Sequence, residues 1–141
     1  MQIKPYIRRV HFYETDQMHI VHHANYIHWM EEARIDYMEQ MGFGYAKAEE
    51  LGVNVAVIGI ECEYKKPALF GTSVQVVCRI GNLTPVRMSV SYEITNTETG
   101  ELHATGESKH CYLNREGRPV QLKKALPELY EILCASLQET E

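Results

Sequence analysis

Between Val53 and Asn114 the chain reads as strands. Apolar and polar positions alternate in Val74-Gln75-Val76-Val77-Cys78-Arg79-Ile80 and again in Val86-Arg87-Met88-Ser89-Val90-Ser91-Tyr92-Glu93-Ile94, the pattern of strands that bury one face. The turn-forming segments Gly81–Pro85 and Asn96–Gly100 separate these two runs from each other and from a third, Leu102–Leu113. Three antiparallel strands in a meander are therefore expected. Upstream the period changes: Tyr26, Met30, Ala33, Tyr37, Met38 and Met41 recur at spacings of three and four. This spacing predicts a helix over Asn25–Met41, with Asn25 as N-cap and Gly42 as the C′ stop. Ile27, Trp29 and Ile35 lie off that stripe, so the helix is apolar over more than half its circumference. Such a helix, roughly 25 Å long, belongs at the centre of an α+β layer architecture, against one face of the sheet. One sheet of this size covers only part of it. The rest of the cover comes either from a second subunit, as in a symmetric homodimer, or from the C-terminal helix and loops. Tyr6–Tyr13 reads as a short strand and Ala46–Leu51 as a short second helix. A last helix starts at Pro127, a residue suited to the first helical turn, and carries Leu129, Ile132, Leu133 and Leu137.

Composition narrows the picture. A chain of 141 residues with 45% hydrophobic and 23% charged positions is expected to form one domain over 1–141, large enough to hold a core without staples. A net charge of −5 argues against nucleic acid or an anionic membrane as partner, since both need a basic footprint. The N-terminus has no apolar signal core, and the longest apolar stretch, Val53–Ile60, is too short to span a bilayer, so a cytoplasmic location is expected. Cys62, Cys78, Cys111 and Cys134 never form a C-x-x-C pair and read as buried reduced thiols.

The densest cluster of reactive side chains is the loop Glu14–Ala24, which delivers the backbone to the start of the long helix. Unpaired N–H groups near His23, Ala24 and Asn25, at the positive end of the helix dipole, suit a developing oxyanion. A nearby carboxylate can attack a carbonyl or activate water. Asp16 is a better candidate than Glu14, because its shorter side chain is more easily held in one orientation. The alternative is that Asp16 caps a local turn or faces solvent. His19, His22, His23 and His28 lie close together, but the adjacency of His22 and His23 and the absence of a nearby cysteine do not favour a zinc site.

The residues Asp16-x-x-His19-Ile20-Val21-His22-His23-Ala24-Asn25-Tyr26, followed by Trp29-Met30-Glu31-Glu32-Ala33-Arg34, resemble the active-site loop and central helix of hotdog-fold acyl-CoA thioesterases of the 4-hydroxybenzoyl-CoA thioesterase type. The similarity continues through Glu63-Tyr64-Lys65-Lys66-Pro67-Ala68 and Gly71, and covers roughly Tyr6 to Leu113. It implies an antiparallel sheet wrapped around a long central helix, dimers formed through sheet edges, and hydrolysis of a thioester to a carboxylic acid and free coenzyme A, with no metal or other cofactor. By position, Asp16 matches the catalytic carboxylate, nucleophile or general base. His23 matches the residue whose N–H polarises the thioester carbonyl, and its imidazole matches a histidine common in one bacterial branch. Asn25 and Tyr26 match the start of the helix. Tyr64, Lys65 and Lys66 are further substrate-binding candidates: the tyrosine beside the acyl group, the lysines toward coenzyme A phosphates. The family usually has Gly where this chain has His19, so a reshaped loop or an added side chain at the pocket mouth is expected there. The same fold leaves two other readings open: a hydratase or dehydratase with His23 as base, or a non-catalytic acyl-thioester binder. The carrier is coenzyme A or an acyl-carrier protein, and the assembly a homodimer or homotetramer.

Overall fold

The computed structural model describes residues 2–139. Strand β1 (Tyr6–Arg9) is followed by a single 3-10 turn (Phe12–Glu14), the long helix α1 (Ala24–Gln40) and the short helix α2 (Tyr45–Glu50). Four long strands come next: β2 (Asn54–Tyr64), β3 (Ser73–Leu83), β4 (Arg87–Asn96) and β5 (Leu102–Leu113). The chain then runs through α3 (Leu122–Ala125) into α4 (Pro127–Glu139). The strands form one antiparallel sheet in the order β1-β3-β4-β5-β2. The expected meander is its middle. The expected first strand is cut short at Arg9, because Phe12–Glu14 wind into the 3-10 turn.

Helix α1 packs against the sheet and buries Tyr26, Trp29, Met30, Ala33, Arg34, Tyr37 and Met38. It ends where the sequence pattern places its end, since Gly42 takes the left-handed conformation at φ +86° that a C′ residue requires. Helix and sheet approach closely at Gly106. A Cβ there would fall 2.5 Å from Met30 Cε and 2.8 Å from the Glu61 carbonyl oxygen, so only glycine lets Met30 seat on β5. Helix α4 buries Leu129 and Leu133 and reaches α1 through a Ser136–Tyr37 side-chain hydrogen bond. It thus supplies part of the cover that α1 needs. The four cysteines are unpaired and half-buried rather than fully buried, because each sits at the margin of the core. Burial pushes the Cys78 thiol up to about 12.

A polar chain crosses the core. Arg34 donates to the Tyr45 and Tyr92 hydroxyls at 2.7 and 3.0 Å, Tyr92 and Ser108 share a hydrogen at 2.6 Å, and Ser108 Oγ lies 2.7 Å from His110 Nε2. Arginine only donates, so each hydroxyl passes its own hydrogen onward and Nε2 accepts at the end. His110 Nδ1 faces the Ala56 carbonyl without reaching hydrogen-bond geometry. Burial and the Arg34 charge push the His110 imidazole down to about 4. Between that value and about 6.5 the unfolded chain binds the proton and the folded chain does not, so stability falls as pH drops through this window. The full loss is expected to be about 3 kcal/mol. Urea melts at pH 7 and pH 4.5 check this, and His110→Asn is expected to flatten the difference.

Candidate active site

Glu14 fixes the loop that precedes α1. Its side chain is 2% exposed. One carboxylate oxygen accepts from Arg8 and from the His11 N–H (2.8 Å), the other from Trp29 Nε1 (2.9 Å). Its main-chain carbonyl accepts from the His22 N–H at 2.8 Å and from Asn25 Nδ2 at 3.0 Å. Arg8 is held in turn by Glu32 at 2.7 Å. Burial pushes the Glu14 carboxyl up, but the hydrogen bonds from His11, Trp29 and Arg8, with the Arg8 charge, outweigh it and hold the group below the usual carboxylate range. With both oxygens engaged, this carboxylate ties β1, the loop and α1 together. The clamp was not legible in the local pattern, where the one signal was that Arg8 shares a strand face with Tyr6.

Beyond Glu14 the chain doubles back, with Thr15 bridged to Val21. The Asp16 N–H donates to the Ile20 carbonyl at 2.9 Å and the His19 N–H to the Asp16 carbonyl at 3.0 Å. Asp16 Oδ1 accepts from the Met18 N–H (2.8 Å) and the Ile20 N–H (3.3 Å), as short side chains do in tight turns. The capping role is therefore real, but it occupies one oxygen only. No described residue donates to Oδ2, and the side chain is exposed. His19 holds φ +63°, the left-handed conformation that glycine adopts freely. Histidine adopts it at a cost of about 1–2 kcal/mol. Its side chain is exposed and does not line the cleft described below. His19→Gly is expected to raise stability by up to about 1 kcal/mol, since added freedom in the unfolded chain offsets part of the gain. Thermal melts of the two proteins check it.

Helix α1 begins one residue earlier than its apolar pattern indicates, with His23 rather than Asn25 in the N-cap position. The Asn25 side chain is drawn away to the Glu14 carbonyl, and its N–H donates to the His22 carbonyl at 3.0 Å. The Ala24 N–H is taken by His22 Nδ1 at 3.2 Å. Of the three N–H groups singled out in the sequence, only that of His23 has no acceptor among the described residues. It carries the positive end of the α1 dipole.

Beside this helix start lies a cleft of about 310 Å³ lined by Ile20, Val21, His23, Tyr26, Tyr64, Lys65, Lys66 and Pro67. Tyr64, the last residue of β2, donates to the His23 carbonyl at 3.1 Å, and its ring stands edge-on to Tyr26 at 5.3 Å. The Tyr26 hydroxyl is occupied by the Ala68 N–H at 3.0 Å, which leaves the ring as an apolar wall. Lys65 pairs with Glu63 and Lys66 with Glu101, at 3.1 and 3.4 Å. Both pairs are exposed and weak enough to exchange for another anion. Five sequence-derived candidates, His23, Tyr26, Tyr64, Lys65 and Lys66, thus line one cleft. Asn25 does not line it and instead positions the loop. Asp16 and His19 sit on the adjoining turn, joined to the cleft through Ile20. Among the described residues, no group of three or more His, Cys, Asp or Glu side chains is placed to hold a metal ion.

Comparison with known proteins bears on the family and the fold. Residues 10–133 match the model of the thioesterase-like superfamily. The chain is 38% identical over 120 residues, 84% of its own length and 86% of the relative's, to "Putative acyl-CoA thioesterase YneP" of Bacillus subtilis (strain 168). Among solved structures it resembles the DHNA-CoA thioesterase of Staphylococcus aureus, at 30% identity and a TM-score of 0.89, covering 97% of this chain and 94% of that one. A hypothetical protein of Aquifex aeolicus superposes with a TM-score of 0.83 at 35% identity, over 92% of this chain and 98% of the other. The five-stranded sheet around a central helix and these matches together show that the chain belongs to the thioesterase-like superfamily and is a hotdog-fold thioesterase.

Proposed function

We propose that the protein hydrolyses acyl-CoA thioesters in the cytoplasm, with the reacting carbonyl at the N-terminus of α1. The observation that carries this reading is the His23 N–H, without an acceptor among the described residues, at the positive end of a 17-residue helix beside an apolar cleft with two lysines at its rim. A thioester carbonyl placed there gains a hydrogen bond that strengthens as negative charge develops on oxygen. Asp16, with Oδ2 unengaged, attacks the carbonyl or takes a proton from water. The acyl group lies against Tyr26 and Tyr64, and Lys65 and Lys66 exchange their exposed carboxylate partners for coenzyme A phosphates. The relatives described as acyl-CoA and DHNA-CoA thioesterases support coenzyme A as the carrier.

The working unit is a homodimer joined at β2. Among the described residues that strand pairs only with β5, so its other edge presents unpaired N–H and C=O groups. Val57 and Ile60 share the inner face with His110 and Ser108 by register, yet are 50% and 38% exposed, and Ile35 of α1 is 40% exposed. Helix α4 packs on β3 and α3, and a second copy would cover these positions. Sedimentation at about twice 16.3 kDa checks the dimer, and a monomer would remove it.

The activity is tested by free-thiol release from acyl-CoAs of different length and aromaticity, with the signal of the protein's own cysteines subtracted. Release from at least one of them is the expected result. A change in enoyl absorbance without thiol release would mean a hydratase or dehydratase instead, and binding without turnover a carrier of acyl thioesters.

A further inference from the structure

His103, the second residue of β5, is only 3% exposed, and its imidazole is hydrogen-bonded on one side alone. Nδ1 lies 2.9 Å from the Lys66 carbonyl oxygen, whereas Nε2 has no partner among the described residues. A carbonyl only accepts, so Nδ1 carries a hydrogen and donates it. The main chain of His103 holds the same segment a second time: its carbonyl accepts the N–H groups of both Lys65 (2.8 Å) and Lys66 (3.3 Å). Two residues thus oppose one just beyond Tyr64–Ala104, the last ladder pair of β2 and β5, which is the arrangement of a β-bulge.

The consequence reaches the cleft at His23. Tyr64, Lys65, Lys66 and Pro67 all line it, although consecutive residues of an unbroken strand face alternate sides. The far end of this segment is fixed inside the site: the Ala68 N–H donates to the Tyr26 hydroxyl and the Ala68 carbonyl accepts from the Val21 N–H, both at 3.0 Å. The near end rests on His103, and Pro67, which has no N–H, cannot continue the pairing. The lysine side chains are held only by exposed carboxylates, which restrain them weakly, so the backbone decides where the two charges stand. We propose, on the acyl-CoA reading of this cleft, that His103 is a positioning residue for carrier specificity. Through the Lys66 carbonyl it holds Lys65 and Lys66 where their ammonium groups meet the phosphates of coenzyme A, and it does not itself touch the substrate.

Steady-state kinetics test this with two substrates: the acyl-CoA that thiol release ranks first, and the same acyl group on N-acetylcysteamine, which has the thioester but no phosphate. His103→Phe keeps a buried ring and removes the donor. It is expected to raise KM for the acyl-CoA about five- to tenfold, with kcat unchanged and both constants for the N-acetylcysteamine thioester unchanged. His103→Asn, whose amide nitrogen can donate in place of Nδ1, is expected to bring KM back near the wild-type value. If the phenylalanine variant folds poorly, isotope-edited NMR of the wild type gives a second readout: coenzyme A is expected to shift the Lys65 and Lys66 amides and the His103 ring signals, and pantetheine is not. An unchanged KM in His103→Phe, a rise shared equally by both substrates, or the same shifts with pantetheine would each overturn this role. Absence of thiol release by the wild type would remove the acyl-CoA reading and this role with it, whereas an unchanged KM in a working enzyme would remove the role of His103 alone.

Discussion

Asp16→Asn is expected to lower kcat by about 10²–10⁴-fold, the range for loss of a positioned acid–base or nucleophilic group, while the melting temperature stays nearly unchanged. The structural half follows from the turn. Asp16 Oδ1 accepts the Met18 and Ile20 N–H groups, and an asparagine carbonyl oxygen accepts both equally well. The chemical half follows from Oδ2, the only part of the carboxylate the turn does not use. An amide nitrogen there can neither attack a thioester carbonyl nor take a proton from water. Thiol release and a thermal melt on the same preparation separate the two effects. Wild-type turnover by the variant would remove Asp16 from the mechanism and shift attention to the His23 imidazole.

Glu14→Ala is expected to cost about 3–5 kcal/mol, the usual penalty for removing one partner of a buried charge pair, and to lower the melting temperature by about 10 °C or more. The substitution leaves the Trp29 Nε1–H and the His11 N–H without their acceptor and takes from Arg8 one of its two carboxylates. The Glu14 carbonyl still holds His22 and Asn25 through the backbone, so the loop loosens at its β1 end first. The charge also has a pH signature. Because the folded carboxyl lies below its ordinary value, its contribution is complete above about pH 4.5 and is lost as pH falls through the folded value. Glu14→Gln is therefore expected to flatten the acid limb below about pH 4.5, whereas the His110 effect occupies the window above it. A Glu14→Ala protein that melts within a degree or two of wild type would show that the clamp does not hold the loop.

These expectations draw on different depths of the sequence. The helix and the meander were legible because each buries one face, and a buried face writes its period into neighbouring residues: three and four for Tyr26 to Met41, two for Val74 to Ile80. Gly42 marked an end because glycine takes positive φ without steric cost, and Pro127 a beginning because its ring fixes φ near the helical value. The boundary at Asn25 was misplaced for the opposite reason. Asparagine is a good cap in isolation, but here its amide is recruited by the Glu14 carbonyl, eleven residues away in sequence.

By itself, then, the chain determined its long helix and long strands, its layer architecture and the loop in which reactive groups gather, since these depend on local periodicity and on residue types. Only the tertiary structure decided which of those groups are free. It buried Glu14 under Arg8 and Trp29 and left Asp16 Oδ2 unengaged, held His19 at positive φ, and gave the Ala24 and Asn25 N–H groups acceptors while sparing that of His23. It also buried Arg34 against the Tyr45 and Tyr92 hydroxyls. Hydrogen-bond partners and burial come from elements distant in sequence, and no local pattern records which donor meets which acceptor.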